Sequence, residues 1–485
     1  MSIAKTVETF KLYIDGEWND PATGEYFDVV SPATGEVLFK AANGNRQDVK
    51  KAIEASCSAF QHWSKKSGKE RSTILFRLYQ LMLENTEELA KTISSEMGKP
   101  IKQARGEVAN SAEYVLWNAE EGKRVYGQTI QGFEANKRLQ MTKQPVGPVA
   151  AITPWNFPLA MITRKLSPAL AAGCTVILKP AEQTPGTAVK FFELAEEAGI
   201  PKGVINLVTG QPAEIGDALL SDKRIRKITF TGSTKVGKLL LEKAAHQVKR
   251  VSMELGGHAP FIVFEDADLD KAVSSVMKSK YFNCGQTCIS PNRLYVQESI
   301  KETFLDKLKA AVEGLTVGNG LNEEVGLGPV VSKAGLDKVK SHVKDAQEKG
   351  ARLVCGGEEY QVRDCEEGFF YTPTILSDVN EKMRISYEET FGPVAPIFTF
   401  KNEDEVVNKA NDTDYGLAAY MFTKDLARSV RVSESLEYGM VGINDTVLSQ
   451  VQGPFGGIKE SGMGREGGPN GLDDFLETKF ISTVI

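Results

Sequence analysis

Histidine and cysteine are scarce in this chain: four His and six Cys among 485 residues. His62, His246, His258 and His342 lie far apart, and neither CxxC nor HExxH occurs. A zinc or iron site therefore has little support, and no metal is expected. Cys57, Cys174, Cys284, Cys288, Cys355 and Cys365 are irregularly spaced. That pattern argues against a disulfide framework and for a reduced, cytoplasmic setting. No run of about 18 apolar residues is present, so no membrane-spanning helix is expected. The first twenty residues lack the apolar stretch of a secretory signal. Lys/Arg-rich blocks are absent and the net charge is -6, which argues against nucleic acid or an anionic membrane as partner. The GxSxG elbow of a serine hydrolase is missing as well.

The chain is 41% hydrophobic and 25% charged, ordinary for a soluble globular protein. Its length calls for two or three domains. Residues 11–40 read as short strands punctuated by Gly, Pro, Asn and Asp. From Gln47 to Arg124 the apolar spacing is helical, clearest at Ile74, Leu75, Leu78, Leu81 and Met82. Gly98-Lys99-Pro100 stops one helix and Ile101 starts another. Tyr126 to Gln144 is polar and alternating: a surface hairpin or an arm against another subunit. From Val146 to Glu254 strands and helices alternate, which predicts a doubly wound, mostly parallel sheet. Near-continuous apolar strands such as CTVILKP fit burial on both faces. A second α/β series runs from PFIVF onward, and the C-terminal stretch is Gly-rich before a strand-like LETKFISTVI.

Six stretches carry chemistry. FTGSTKVGK, Phe230–Lys238, joins a strand to a helix and offers backbone N–H groups to a phosphate, or is a structural turn. It is neither GxGxxG nor a Walker A sequence. In LKPAEQTP, Lys179 and Glu182 stand at a strand's C-terminal end, where open α/β sheets bind ligands. A carboxylate there can accept from both ribose hydroxyls and repels a 2′-phosphate; a surface Lys–Glu pair is the alternative. TPWNFP, Thr153–Pro158, holds Asn156 between prolines, so its amide can serve an oxyanion or cap a loop. In MELGGHAP, Glu254 is either a general base or a solvated strand-end residue. EETFGP offers Glu389 and Phe391 as ligand contacts or as a turn. FNCGQTCISPNR centres on Cys288, a nucleophile or a buried structural thiol.

TPWNFP, FTGS, ELGG and GQTC, in this order and with Cys288 34 residues after Glu254, resemble the NAD(P)-dependent aldehyde dehydrogenase superfamily over nearly the whole chain. Within it, ITPWNFPLAMITRKLSPALAAGCTVILKPAEQTP, VKRVSMELGGHAPFIVFEDADLD and EETFGPVAPI are most similar to succinate-semialdehyde dehydrogenases. The resemblance implies Cys288 as nucleophile, Glu254 as general base and Asn156 as oxyanion donor. It implies cofactor contacts at Thr153, Pro154, Trp155, Lys179, Glu182, Gly210, Gly232, Ser233, Glu389 and Phe391, with Glu182 favouring NAD over NADP. It gives Lys165 no cofactor role. Arg164 and Ser449 match the residues that grip a substrate carboxylate. Phe282 stands where many members of the branch carry a second Arg, a loss of about 2–4 kcal/mol in carboxylate binding. Ser290 stands where some members carry a redox-switch Cys, and Cys284 lies four residues before the nucleophile instead.

The implied architecture is a Rossmann-like cofactor domain (1–125 and 146–256), a catalytic domain (257–453) and a β oligomerisation arm (126–145 and 454–485) in a homodimer or homotetramer. The expected reaction is NAD-dependent oxidation of succinate semialdehyde, or, given Phe282, of a less acidic aliphatic or aromatic aldehyde. A CoA-acylating enzyme would lack a base at the Glu254 position, and a catalytically silent protein would lack Cys288 or Glu254; both residues are present.

Overall fold

The computed structural model describes residues 7–485. Residues 1–6, part of the stretch read above for a secretory signal, lie outside the described residues.

Four helices follow the N-terminal strands: Arg46–Trp63, Gly68–Glu84, Thr86–Met97 and Ile101–Glu121. The first two open on capping boxes, Asn45 with Asp48 and Ser67 with Glu70, which satisfy the free N–H groups of the first turn. Gly98 ends the third in a left-handed conformation (φ 81°). The Leu75, Leu78, Leu81 and Met82 stripe is buried in one core with Ala104, Val108, Ala112 and Val115 of the fourth helix.

The alternation from Val146 to Glu254 folds into five parallel strands in the spatial order Arg250–Glu254, Lys227–Thr231, Val149–Ile152, Val176–Lys179, Ile205–Leu207. The chain thus reverses its winding between Val149–Ile152 and Lys227–Thr231, a switch point that opens a crevice at the strands' carboxyl ends. Antiparallel strands extend both edges. Leu12–Ile14 and Glu17–Asn19 lie beyond Ile205–Leu207, and Gly462–Met463 lies beyond Arg250–Glu254. That last strand falls within 454–485, assigned to the arm from sequence. Its pairing of Gly462 with Glu254 ties the Gly-rich stretch to the first sheet instead. Two residues, one of them glycine, carry no strand periodicity to read. Only Leu476–Val484 runs along the hairpin, pairing with Lys137–Pro145, which also pairs with Gln128–Gln131.

The second series forms a seven-stranded sheet, six strands parallel and Arg352–Cys355 antiparallel at one edge. Each large sheet is enclosed by two apolar cores, one per face, as buried parallel sheets require. Among the described residues, no helix is long and apolar enough to cross a membrane.

Candidate active site

The carboxyl ends of the first sheet face the amino ends of the second. Asn156 follows Val149–Ile152, while the 282–288 turn precedes Pro291–Gln297. The two meet through hydrogen bonds: the Asn156 side-chain amide donates to the Gln286 carbonyl (3.0 Å), and the Asn283 amide donates to the Asn156 carbonyl (2.9 Å). The turn is tightly wound. Asn283 (φ 51°), Cys284 (φ 56°) and Gly285 (φ 71°) are all left-handed, a conformation that costs a non-glycine residue about 1 kcal/mol or more. Gln286 offsets that cost by accepting from the Val331 amide (2.9 Å) and donating to the Asn283 carbonyl (3.2 Å).

This turn places Cys288 in a wall shared by two cavities. One, of about 350 Å³, is lined by Phe157, Arg164, Phe282, Tyr420, Ser449 and Phe455 among others. The other, of about 380 Å³, is lined by Pro154, Trp155, Asn156, Gly232, Ser233, Glu389 and Phe391 among others. Cys284 instead belongs to the buried core beneath the second sheet. Its thiol is pushed up to about 12 by burial, the Lys280 ammonium opposing weakly. The second glycine of ELGG is dictated by Cys288: a Cβ at Gly257 would lie 2.2 Å from the Cys288 carbonyl oxygen.

Burial dominates the electrostatics of the site. Burial pushes the Cys288 thiol up to about 12, with the Glu389 carboxylate adding to it and the Arg164 guanidinium opposing. Glu254 is held well above the ordinary carboxylate range by burial first and by Glu466 second, against Lys165 and Arg164. Its Oε2 is buried without a hydrogen-bond partner, and Gly456 packs against its Oε1. Glu389 is pushed up to about 7 by burial and accepts from the Gly257 amide (3.2 Å). Arg164, 4% exposed, is clamped between the rings of Tyr114 (4.8 Å) and Phe455 (4.4 Å). It donates to the Ser449 hydroxyl, and its Nε remains an unpartnered buried donor.

Five of the sequence candidates line neither cavity: Thr153, Lys179, Glu182, Gly210 and Glu254. Thr153 donates its amide to the Lys179 carbonyl (3.1 Å) at the strand ends. The Lys179 ammonium donates to Glu182, so these two are a pair. Gly210 bridges to Gly44.

Two buried ion pairs escaped sequence reasoning. Lys99 donates to Glu107 and to the Asn156 carbonyl (3.0 Å), and Glu107 accepts from the amides of Leu159 (3.0 Å) and Ala160 (3.2 Å). The pair fixes the loop that carries Asn156. Lys165, given no role from sequence, is fully buried and donates to Thr231 (2.5 Å) and to Glu466. Its partner is 301 residues away, and no local pattern announces that. Among the described residues no group of His, Cys, Asp or Glu is arranged to hold a metal ion.

A thiol shared by an aromatic, arginine-bearing cavity and a glycine-lined crevice at a sheet switch point has clear counterparts among known proteins. The chain is 51% identical over 468 residues to succinate-semialdehyde dehydrogenase, NADP(+), of Escherichia coli (strain K12), covering 96% of each chain. It is 51% identical over 471 residues to 3-sulfolactaldehyde dehydrogenase of Pseudomonas putida, covering 97% of this chain and 96% of the relative. The crystal structure of succinate-semialdehyde dehydrogenase from Burkholderia pseudomallei superimposes with a TM-score of 0.97 at 47% identity over the whole of both chains. Residues 18–481 match the aldehyde dehydrogenase family, and the chain belongs to that family: it is an NAD(P)-dependent aldehyde dehydrogenase.

Proposed function

We propose that this enzyme oxidises an aldehyde bearing a remote carboxylate, succinate semialdehyde to succinate in the first instance, with NAD. The observation that carries the reading is Arg164: a buried guanidinium with an unsatisfied Nε, beside Ser449 in the cavity that Cys288 lines. A planar, permanently charged donor set in an aromatic cavity suits a carboxylate. Succinate semialdehyde and 3-sulfolactaldehyde, named for two of the relatives, both carry an anion away from the aldehyde.

In this reading the Cys288 thiol loses its proton to a base in the site and its sulfur adds to the aldehyde carbon. The Asn156 amide and the Cys288 N–H hold the resulting oxyanion. Loss of hydride from the thiohemiacetal leaves a thioester on Cys288. Glu254 then takes a proton from the attacking water, a task suited to a carboxyl whose pKa burial has raised. Hydrolysis releases the acid and returns the thiol.

The crevice between the sheets fits a dinucleotide. Gly232 turns so tightly that a Cβ would lie 2.4 Å from the Phe230 ring. The helix Thr234–Ala245 begins directly after it, with Ser233 as its N-cap. Trp155 and Phe391 meet edge-on at 5.5 Å. Gly232 and Ser233 would hold the pyrophosphate, Lys179 and Glu182 the adenosine ribose, and Glu389 and Phe391 the nicotinamide end, with Thr153, Pro154 and Trp155 along the path. When bound there, a nicotinamide dinucleotide supplies the hydride acceptor. Preference for NAD rests on the negative charge of Glu182, which opposes a 2′-phosphate. The name of the Escherichia coli relative specifies NADP(+) for that protein.

The strands Gln128–Gln131, Lys137–Pro145 and Leu476–Val484 carry exposed Ile130, Phe480, Ile481 and Val484. These exposed apolar side chains support an oligomerisation role. A cytoplasmic setting is in keeping with six free cysteines.

A second reading, oxidation of a less acidic aldehyde, is favoured by Phe282. Steady-state kinetics with succinate semialdehyde, hexanal and benzaldehyde separate the two. The carboxylate reading requires the highest kcat/KM for succinate semialdehyde; a higher value for either of the other two would defeat it.

A further inference from the structure

The cavity on the Arg164 side of Cys288 has a second cation that the reading above leaves without a role. Lys278 lies in the last turn of the helix Leu269–Lys280, is exposed, and lines the same cavity as Phe282 and Arg164. It stands four residues before Phe282, which lies past the end of that helix, and both side chains line the cavity. The carboxylates nearby are engaged elsewhere. Asp270, on the same helix, pairs with Lys307 (2.6 Å). Glu107 faces the cavity but is taken up by Lys99 and the amides of Leu159 and Ala160. Among the described residues Lys278 has no ion-pair partner. The cavity is therefore lined by a buried cation, Arg164, an exposed one, Lys278, and several aromatic rings.

We propose that Lys278 is a specificity-determining residue, supplying from the cavity mouth the second positive charge that Phe282 cannot, and selecting aldehydes with an anion at the far end. The inference rests on the carboxylate reading of Arg164. Phe282 and Phe157 add apolar lining, and with Glu107 engaged elsewhere, Arg164 and Lys278 are the cations among the described residues that line the cavity. A lysine ammonium on a flexible four-carbon stem follows a carboxylate as it enters and relaxes against its outer face as the aldehyde reaches Cys288. A rim charge of this kind steers approach and fixes orientation, and its effect fades with ionic strength.

The test is steady-state kinetics of the intact enzyme with saturating NAD, comparing wild type, Lys278→Met and Lys278→Arg on succinate semialdehyde and hexanal. Lys278→Met is expected to lower kcat/KM for succinate semialdehyde about tenfold more than for hexanal, through KM. Lys278→Arg is expected to retain most of the wild-type ratio, and salt at about 0.5 M, where the Debye length falls to about 4 Å, to erode the wild-type ratio but not that of Lys278→Met. Equal losses on both substrates, or an unchanged ratio in Lys278→Met, overturn the assignment. If wild type itself prefers hexanal, the carboxylate reading falls and Lys278 with it. If wild type prefers succinate semialdehyde and Lys278→Met keeps that preference, Lys278 alone is refuted.

Discussion

Phe282 lies nearly parallel to Phe157, ring centroids 6.1 Å apart and planes 17° from coplanar orientation. The pair forms a flat apolar wall in the cavity lined by Cys288. Phe157 also carries the Lys99 ammonium, 3.9 Å from the ring centroid. The wall thus joins the substrate cavity to the ion pair that holds the Asn156 loop. Phe282→Arg is expected to raise the kcat/KM ratio of succinate semialdehyde to hexanal about tenfold, since a charge-assisted contact contributes about 1.5–3 kcal/mol. Phe282→Ala should lower kcat/KM for hexanal by removing aromatic surface. A ratio that stays constant in both variants would show that this wall does not face the substrate.

Cys288 and Glu254 divide the reaction between them. Cys288→Ala is expected to abolish turnover while a fluorescence titration still detects NAD binding. Glu254→Gln should form the thioester but hydrolyse it slowly, giving a burst of reduced cofactor equal to the enzyme and a steady state about 10²–10⁴-fold below wild type. Glu254 acts as base only when ionised, and its pKa is raised well above the ordinary carboxylate range. The wild-type steady-state rate should therefore climb as pH rises toward that raised value. A linear time course with no burst in Glu254→Gln would remove Glu254 from the hydrolytic step.

Glu182 follows the strand Val176–Lys179 and is held by the Lys179 ammonium. Glu182→Ser removes the charge that would oppose a 2′-phosphate. The ratio of kcat/KM with NAD to that with NADP should narrow about tenfold or more, the scale of one close like-charge contact near a protein surface. Parallel initial-rate series with each cofactor measure it, and an unchanged ratio would mean that the adenosine ribose lies elsewhere.

His342 is fully buried, with one ring nitrogen 3.2 Å from the Thr390 hydroxyl and the other 3.1 Å from Glu388. Burial, with the Lys338 ammonium adding to it, lowers its pKa to about 4, while Glu388 opposes. Between about pH 4 and the unfolded value of about 6.5 the unfolded chain binds a proton that the native state refuses. The contribution of His342 is therefore complete above about 6.5 and is lost as pH falls through this window. His342→Gln is expected to have a shallower fall of Tm between those two pH values than wild type, in matched thermal melts. Identical slopes would show that His342 is not the group responsible.

Much of this was legible locally. The period of Leu75, Leu78, Leu81 and Met82, the stop at Gly98 and the buried runs of the first sheet follow from side-chain spacing and backbone preference within a few residues. The strand-to-helix junction read in FTGSTKVGK is the step from Lys227–Thr231 to the helix Thr234–Ala245. The edge strand Gly462–Met463 was not legible, because a strand of two residues among glycines exists only through its partner, Arg250–Glu254. Neither was the Lys99–Glu107 brace, whose members look like a loop lysine and a surface glutamate of the following helix until packing buries them together.

The sequence alone determined the order of the chemical groups: an amide, a base and a thiol carried on turns between apolar strands, because each turn needs only its own glycines and prolines. Tertiary structure decided what those groups meet. It set the carboxyl ends of one sheet against the amino ends of another, which puts Cys288 between two cavities. It buried Glu254 near Glu466, 212 positions on in the chain, raising its pKa by desolvation and like charge. It also brought Lys278 and Arg164 to the lining of one aromatic cavity. Burial and the approach of like or unlike charges depend on distance in space, and only the packed fold supplies those distances.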